Sequence, residues 1–283
     1  MGTRLHLAAA LHATGEEAFT ARHWAGLVRE AEEAKLDFVT FDDSLGGRPG
    51  LDAVLTAARI APLTTRVGLV PTAVVTHTEP FHLSKAIATL DYVSGGRAGV
   101  QLAVASDPAD ARHFGRRSIG PEPELWEEAA DYAEVLRRLW DSWEDDAEIR
   151  DVATGRFIDR EKLHHIDFEG RWFKVRGPSI TPRPPQGHPL IAASEPLGDI
   201  VFADEVSASG RLVFRDVDAA TPVEELIAWH GEGFTGFRLH GDLRLITREV
   251  VPELRRRGLF RTEYEHTTLR GHLGLARPAN QFA

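Results

Sequence analysis

The 283-residue chain has 42% hydrophobic and 27% charged residues, ordinary values for a globular protein with a sizeable core. Its formal charge of -10, from 43 acidic and 33 basic side chains, argues against nucleic acid or an anionic membrane as partner. Cysteine is absent, which excludes disulfides, thiolate nucleophiles and Cys-ligated metals, and no apolar run nears the ~20 residues that span a bilayer.

In chain order, residues 4–11 predict a first strand. They lack the long apolar stretch and cleavage pattern of a signal peptide, so a cytoplasmic protein is the expectation. Residues 16–35 place Phe19, Trp24, Leu27, Val28 and Ala31 at helical spacing against a polar face. Residues 37–41 predict a strand followed by a Gly- and Asp-rich loop, and residues 51–61 a helix stopped by Pro62. Residues 66–75 predict a third strand, 80–92 a helix with Pro80 in its first turn, 98–105 a fourth strand and 122–143 a long helix. Nearly continuous apolar strands alternating with helices predict a parallel sheet with helices outside. Right-handed crossovers leave an open doubly wound sheet or a closed barrel.

Residues 139–187 form a long excursion that carries Trp140, Trp143, Trp172 and Phe173 and ends in the Pro-rich turn 182–185. Its aromatic content argues against disorder. Residues 189–193 then predict a strand, and 200–203 and 211–214 are short apolar runs. A helix is expected from Thr221 as N-cap, with Pro222 at its first position, to about residue 231. Residues 237–239 predict a last strand and 243–257 a last helix. The six residues 194–199 are too few for a crossover helix, so one barrel helix is missing or replaced by a turn.

Four blocks have a familiar pattern. The first is Phe38-Val39-Thr40-Phe41-Asp42-Asp43. The second is Thr65 to Thr72, followed by Thr78-Glu79-Pro80-Phe81-His82-Leu83 and the run from Ala88 to Ser94-Gly95-Gly96-Arg97. The third is the excursion, with Gly170-Arg171-Trp172-Phe173-Lys174-Val175-Arg176-Gly177-Pro178. The fourth runs from Val251 to Tyr264 and from Thr268 to Asn280. Together they resemble the flavin-dependent monooxygenases of the bacterial-luciferase-like superfamily, nearest the branch acting on nitrilotriacetate, dibenzothiophene sulfone and related compounds.

That resemblance implies an α/β fold, a TIM-type (β/α)8 barrel trimmed or irregular in its second half. It would be one domain over residues 1–283, with an insertion after the fourth helix at about 144–188 and a C-terminal segment at about 258–283. It implies reduced FMN as cofactor, supplied by a separate flavin reductase, with O2 and a small organic molecule as substrates and a homodimer as the assembly. The protein would bind and orient the flavin and exclude water. Asp42, Thr72, Gln101 and Ser106 fall at or near the C-terminal ends of strands, where such a barrel places its site, and Ser194 falls in the phosphate-contacting run. His77 and His113 are candidates for acid–base or substrate-orienting roles. Each also has a plain structural reading: Asp42 as a cap, Thr72 as a strand residue, Gln101 as a satisfied amide, and the histidines as surface or cap groups.

The departures from the family pattern bear on the cofactor. Val100-Gln101 stands where the family has Trp-Asn. Ala192-Ala193-Ser194-Glu195-Pro196 stands where the family has Gln-Ala-Gly-x-Ser, so the glutamine is gone, Glu195 puts a carboxylate near the phosphate and Pro196 removes an N–H, while Ser194 keeps a hydroxyl donor. The chain is also shorter than family members, mostly between Ser194 and Glu224. A non-catalytic paralogue, retained as a binding or subunit-partner module, is therefore the alternative. No His-Glu-x-x-His run or other metal spacing occurs, and adjacent His164 and His165 point to opposite faces of a strand, so no metal is expected. The Gly95-Gly96 pair precedes a strand, which suits a helix C-cap and turn and not a dinucleotide loop.

Overall fold

A computed structural model describes residues 4–12, 15–46, 49–206 and 210–283. Eight parallel strands close into a barrel: β1 (His6–Leu11), β2 (Phe38–Phe41), β3 (Gly68–Val74), β4 (Gly99–Ala103), β9 (Leu190–Ala193), β10 (Ile200–Phe202), β11 (Leu212–Asp218) and β12 (Gly236–His240). Their order round the barrel follows the chain, and β1 pairs with β12 through His6↔Gly236 to Ala9↔Leu239. The closed form is therefore the one adopted, and the open doubly wound sheet is not. Every residue of β2, β9 and β10 is buried, as strands covered on both faces must be.

The outer layer is α1 (Ala21–Glu33), α2 (Ala53–Ile60), α3 (Pro80–Ser94), α4 (Pro108–Phe114), α5 (Glu122–Asp141) and α6 (Val223–Glu232). After β12 a continuous helix runs as α7 (Leu243–Leu245), a π segment (Ile246–Val250) and α8 (Val251–Arg256). In α1 the Thr20 hydroxyl accepts from His23 N, and Trp24, Ala25, Val28 and Ala31 form the buried face. Gly95 ends α3 at φ 68°, a left-handed cap that costs glycine no side-chain clash. The short α4 is an addition to the sequence reading; its Asp-Pro start and Gly115 end bracket too few residues for a clear period. The helix expected from Thr221 begins at Val223, with Pro222 in the cap position. No helix separates β9 from β10, and none occurs between β10 and β11 among the described residues. The second half is trimmed in that sense: the β9–β10 crossover is a turn, and the described residues between β10 and β11 hold no helix.

The excursion is two antiparallel hairpins, β5 (Glu148–Asp151) with β6 (Arg156–Ile158) and β7 (Phe168–Glu169) with β8 (Lys174–Val175). Trp143 Nε1 donates to Ser179 O at 2.7 Å, and Phe173 packs edge-on to Tyr132 at 5.5 Å. Arg183, buried, donates to Asp141 at 2.9 Å and to Pro278 O at 2.9 Å, tying the excursion to α5 and to the C-terminal segment. Tyr132, Trp140 and Trp143 are buried in the core.

The N-terminal end of the barrel is plugged. The short helix α9 (Leu269–His272) puts Leu269 and Leu273 against Ala8, Phe38 and Val70 inside the barrel. Gly68 leaves room for this: a Cβ there would stand 2.5 Å from Leu269 Cδ1 and 2.8 Å from Phe38 Cβ. Beside the plug, the buried Asp37 carboxylate takes His6 Nδ1 at 2.9 Å, the Leu7 amide at 2.8 Å and the Arg261 guanidinium. The candidate site lies at the opposite, C-terminal end.

Candidate active site at the barrel mouth

Strand parity decides which side chains reach the mouth. On β12, Arg238 and His240 alternate with buried Phe237 and Leu239. Arg238 lies across the barrel. Its Nε and Nη2 donate to the two oxygens of Asp216 on β11, both at 2.6 Å, and its Nη1 donates to Gln101 Oε1 on β4 at 2.5 Å. The guanidinium carbon sits 3.7 Å from the centroid of the Phe202 ring. A planar fork clamped by a carboxylate and stacked on an aromatic face is a geometry that arginine fills and lysine does not.

Above this layer a row of polar groups crosses the rim. His240 Nε2 meets Asp216 Oδ1 at 2.9 Å, the rings of His240 and His12 stack at 5.7 Å, and His12 Nδ1 lies 3.5 Å from Asp42. Burial works to raise the Asp216 pKa, but its bonds from His240 and Arg238 outweigh that and hold it down at about 2. The hydrogen bond from His12 holds the Asp42 carboxylate below its ordinary range. Two carboxylates thus bracket two imidazoles, an arrangement able to move a proton along the rim by exchange of tautomers. Two cavities meet at His12. One, about 600 Å³, is lined by Ala10, His12, Arg22, His23, Gly241 and Arg244 among others. The other, about 500 Å³, is lined by His12, Trp24, Asp42, Asp43 and Ser44 among others. Arg238 crosses the axis of the mouth, and the open volume lies beside it, the larger cavity between α1 and the start of α7 at the β12–β1 edge and the smaller at the β1–β2 edge.

The residues expected from the sequence fall in different places. Asp42 follows β2 directly and is exposed on the rim, whereas neighbouring Asp43 accepts from Ala53 N at 3.0 Å and supports the start of α2. Thr72 is buried within β3, two positions before its end, and faces a separate cavity of about 390 Å³ with Leu55, Leu83 and Tyr132. Gln101 lies within β4, its carbonyl occupied by Arg238. Ser106 and Ser194 are exposed just beyond β4 and β9. His77 is buried after β3, its ring stacked on Phe114 at 4.7 Å, while His113 is exposed in the last turn of α4. Sequence reasoning overlooked His12, His240, Asp216 and Arg238. The signal was there: Arg238 and His240 are polar at every second position of a strand whose other face is apolar.

A closed parallel barrel with a polar C-terminal rim is common to oxidoreductases and many other enzymes, and fold alone fixes no chemistry. The sequence narrows it. Residues 3–198 match the family described as luciferase-like monooxygenase, and the chain belongs to that family, a flavin-dependent oxidoreductase class. It is 35% identical to nitrilotriacetate monooxygenase component A of Aminobacter aminovorans over 69% of this chain and 50% of that protein. It is 32% identical to a pristinamycin IIA synthase subunit of Streptomyces pristinaespiralis over 90% of each. The chain thus spans about half the length of several curated relatives, among them the N-acetyl-S-(2-succino)cysteine monooxygenase of Bacillus subtilis at 47%, yet nearly all of another. The fold matches that of EDTA monooxygenase from Chelativorans sp. BNC1, with a TM-score of 0.83 at 19% identity over 97% of this chain and 99% of that one. Among the described residues no helix is long and apolar enough to cross a membrane.

The family implies FMN, and the structure tests the fit in two parts. The rim offers hydrogen-bonding groups and space for a flat ring beside His12 and Asp42. The turn after β9 has Arg137 and Arg211 donating to its Leu197 and Gly198 carbonyls and an exposed Ser194, but its backbone offers a phosphate little. Leu197 N is already bonded to Glu195 O at 2.7 Å and Asp199 N to Ile191 O at 2.7 Å. Pro196 has no N–H, and the exposed Glu195 carboxylate adds like charge. No helix opens after β9 to present its N-terminus.

Proposed function

We propose that this chain is one subunit of an FMN-dependent, two-component monooxygenase. A separate reductase supplies reduced FMN, and the flavin with O2 oxygenates a small organic molecule. The observation that carries this reading is the turn 194–199, where Pro196 has no N–H, Leu197 N and Asp199 N are already bonded and Glu195 adds a carboxylate, in a chain that aligns over 90% of its residues with a relative named as a synthase subunit. A second, longer luciferase-like chain holds the flavin phosphate in this account. The present barrel contributes its mouth and a docking face at α2, where Leu51, just before the helix, and Leu55, beside the apolar cavity between α2 and α3, are exposed. Co-expression with a longer luciferase-like chain from the same organism tests it: the two chains elute as one complex that binds reduced FMN, and independent elution with no flavin bound by either combination contradicts it.

A second reading has its own support. The polar rim from Asp42 to Asp216 and the open volume beside it suit a self-contained flavin site, with a homodimer formed through the same α2 face. Micromolar binding of reduced FMN by the isolated chain separates this reading from the first.

A further inference from the structure

His12 follows β1 and His240 ends β12, so two rings 228 positions apart in the chain stand on neighbouring strands of the barrel. His12 Nε2 and His240 Nδ1 face each other at 3.5 Å, and with the ring centroids 5.7 Å apart both nitrogens lie between the rings. Both side chains are reachable from solvent, with exposures of 43% for His12 and 35% for His240. The outer nitrogens meet carboxylates: His240 Nε2 lies 2.9 Å from Asp216 and His12 Nδ1 3.5 Å from Asp42. Against the pull of burial, His240 and Arg238 keep Asp216 ionised, and His12 does the same for Asp42. Ionised carboxylates only accept, so each draws an N–H from its ring. A neutral imidazole has one N–H, and here each ring spends it outward. The two inner nitrogens then present lone pairs to each other, which repel, and a cation between them turns that repulsion into attraction.

We propose that His12 Nε2 and His240 Nδ1 form a site for a divalent transition metal of the zinc type, with water completing its shell. Zn–N bonds of about 2.0–2.1 Å at a tetrahedral angle put two donor atoms about 3.3–3.4 Å apart, close to the 3.5 Å found. Imidazole suits zinc, nickel and copper, whereas magnesium and calcium take oxygen ligands. Asp42 and Asp216 play the part of carboxylates behind metal-bound histidines, fixing each tautomer and turning the free lone pair inward. Among the described residues no three His, Asp or Glu side chains gather closely enough to hold a metal by themselves, so two positions of the shell are left to water or to a molecule entering the mouth. The surrounding charge favours a cation: among the described residues Glu17, Glu30, Asp42, Asp43, Asp216 and Asp242 outnumber Arg22, Arg238 and Arg244. Spacing along the sequence gives no sign of the pair, because only barrel closure brings β1 beside β12. The inference is independent of where flavin binds.

Zn2+ is titrated into the whole chain at neutral pH in a buffer that does not chelate it, with the histidine ring resonances as readout and Mg2+ as control. His12→Phe and His240→Phe assign the two rings concerned among the 13 histidines. The expected result is that these two rings shift together and saturate at one Zn2+ per chain, and that either substitution weakens binding about tenfold or more. Two rings responding at different metal concentrations, a response shared equally by the other histidines, a shift that fails to saturate, or the same shift with Mg2+ overturns the proposal. Both rings are partly exposed, so neither substitution opens the core. If one variant fails to fold, the other removes half of the ligand pair and carries the same test.

Discussion

Arg238 and Gln101, 137 positions apart in the chain, meet inside the barrel, with Arg238 Nη1 donating to Gln101 Oε1 at 2.5 Å. The bond joins β12 to β4 across the sheet and sets the floor of the mouth. It also orients the Gln101 amide, because the carbonyl faces the guanidinium and the NH2 is left for another acceptor.

Arg238→Met keeps much of the volume and removes the fork. The Asp216 carboxylate loses its bidentate partner and Phe202 its stacked cation, so stability should fall by about 1–3 kcal/mol. Urea denaturation reads this directly. Unchanged stability would mean that water replaces the fork at no cost.

His272 in the barrel plug makes stability fall toward acid pH. Burial pushes its pKa down to about 4, and its Nε2–H donates to Arg66 O at 2.8 Å. An unfolded histidine titrates near ~6.5. Between those values the unfolded chain binds a proton that the folded chain does not, so stability is lost as pH falls through that window, on the order of 3 kcal/mol in all. His272→Gln keeps a donor and has no proton to bind, and its melting temperature should vary less with pH from 6.5 to 4 than that of the wild type. Parallel profiles would refute the assignment.

Arg97 shows why one sequence block is so specific. Its side chain, 2% exposed, donates to Ser94 O, Thr64 Oγ1, Val67 O, Ala61 O and Thr64 O at 2.7–3.0 Å. Lysine cannot span five acceptors on three sides. Arg97→Lys should cost on the order of 3 kcal/mol, measured by chemical denaturation, with the mouth residues untouched. A loss below the error of the measurement would show that those carbonyls find other donors.

Leu55 on α2 is 70% exposed at the edge of an apolar cavity. Leu55→Asp should leave the isolated chain folded and dissociate its complex with a partner chain, visible by size exclusion. Retention of the complex would move the docking face elsewhere.

Much of the barrel was legible because its strands are short and mostly apolar and its helices begin at Pro, Thr or Asp. The strand–helix pattern alone did not decide closure, because both doubly wound sheets and barrels use the same right-handed unit; the family resemblance pointed to the barrel that is found. The π segment within the last helix leaves no mark in the 3.6-residue period. At the mouth, Asp42 could be picked out as an acid at a strand end. Arg238, Asp216 and His240 could not be joined from sequence, because their contact depends on the register Asp216↔Arg238 and Asp218↔His240 between two late strands. The resemblance directed attention to Thr72, Ser106 and Ser194, which the structure sets in separate surroundings.

The central claim is that this barrel lacks its own phosphate seat. The direct measurement is titration of the isolated chain with reduced FMN and, in parallel, with reduced riboflavin, which has the same ring and no phosphate. The account predicts equal, weak binding of the two, with no gain from the phosphate. Micromolar binding of FMN, about tenfold or more tighter than riboflavin, would contradict it and establish a complete flavin site on this chain alone.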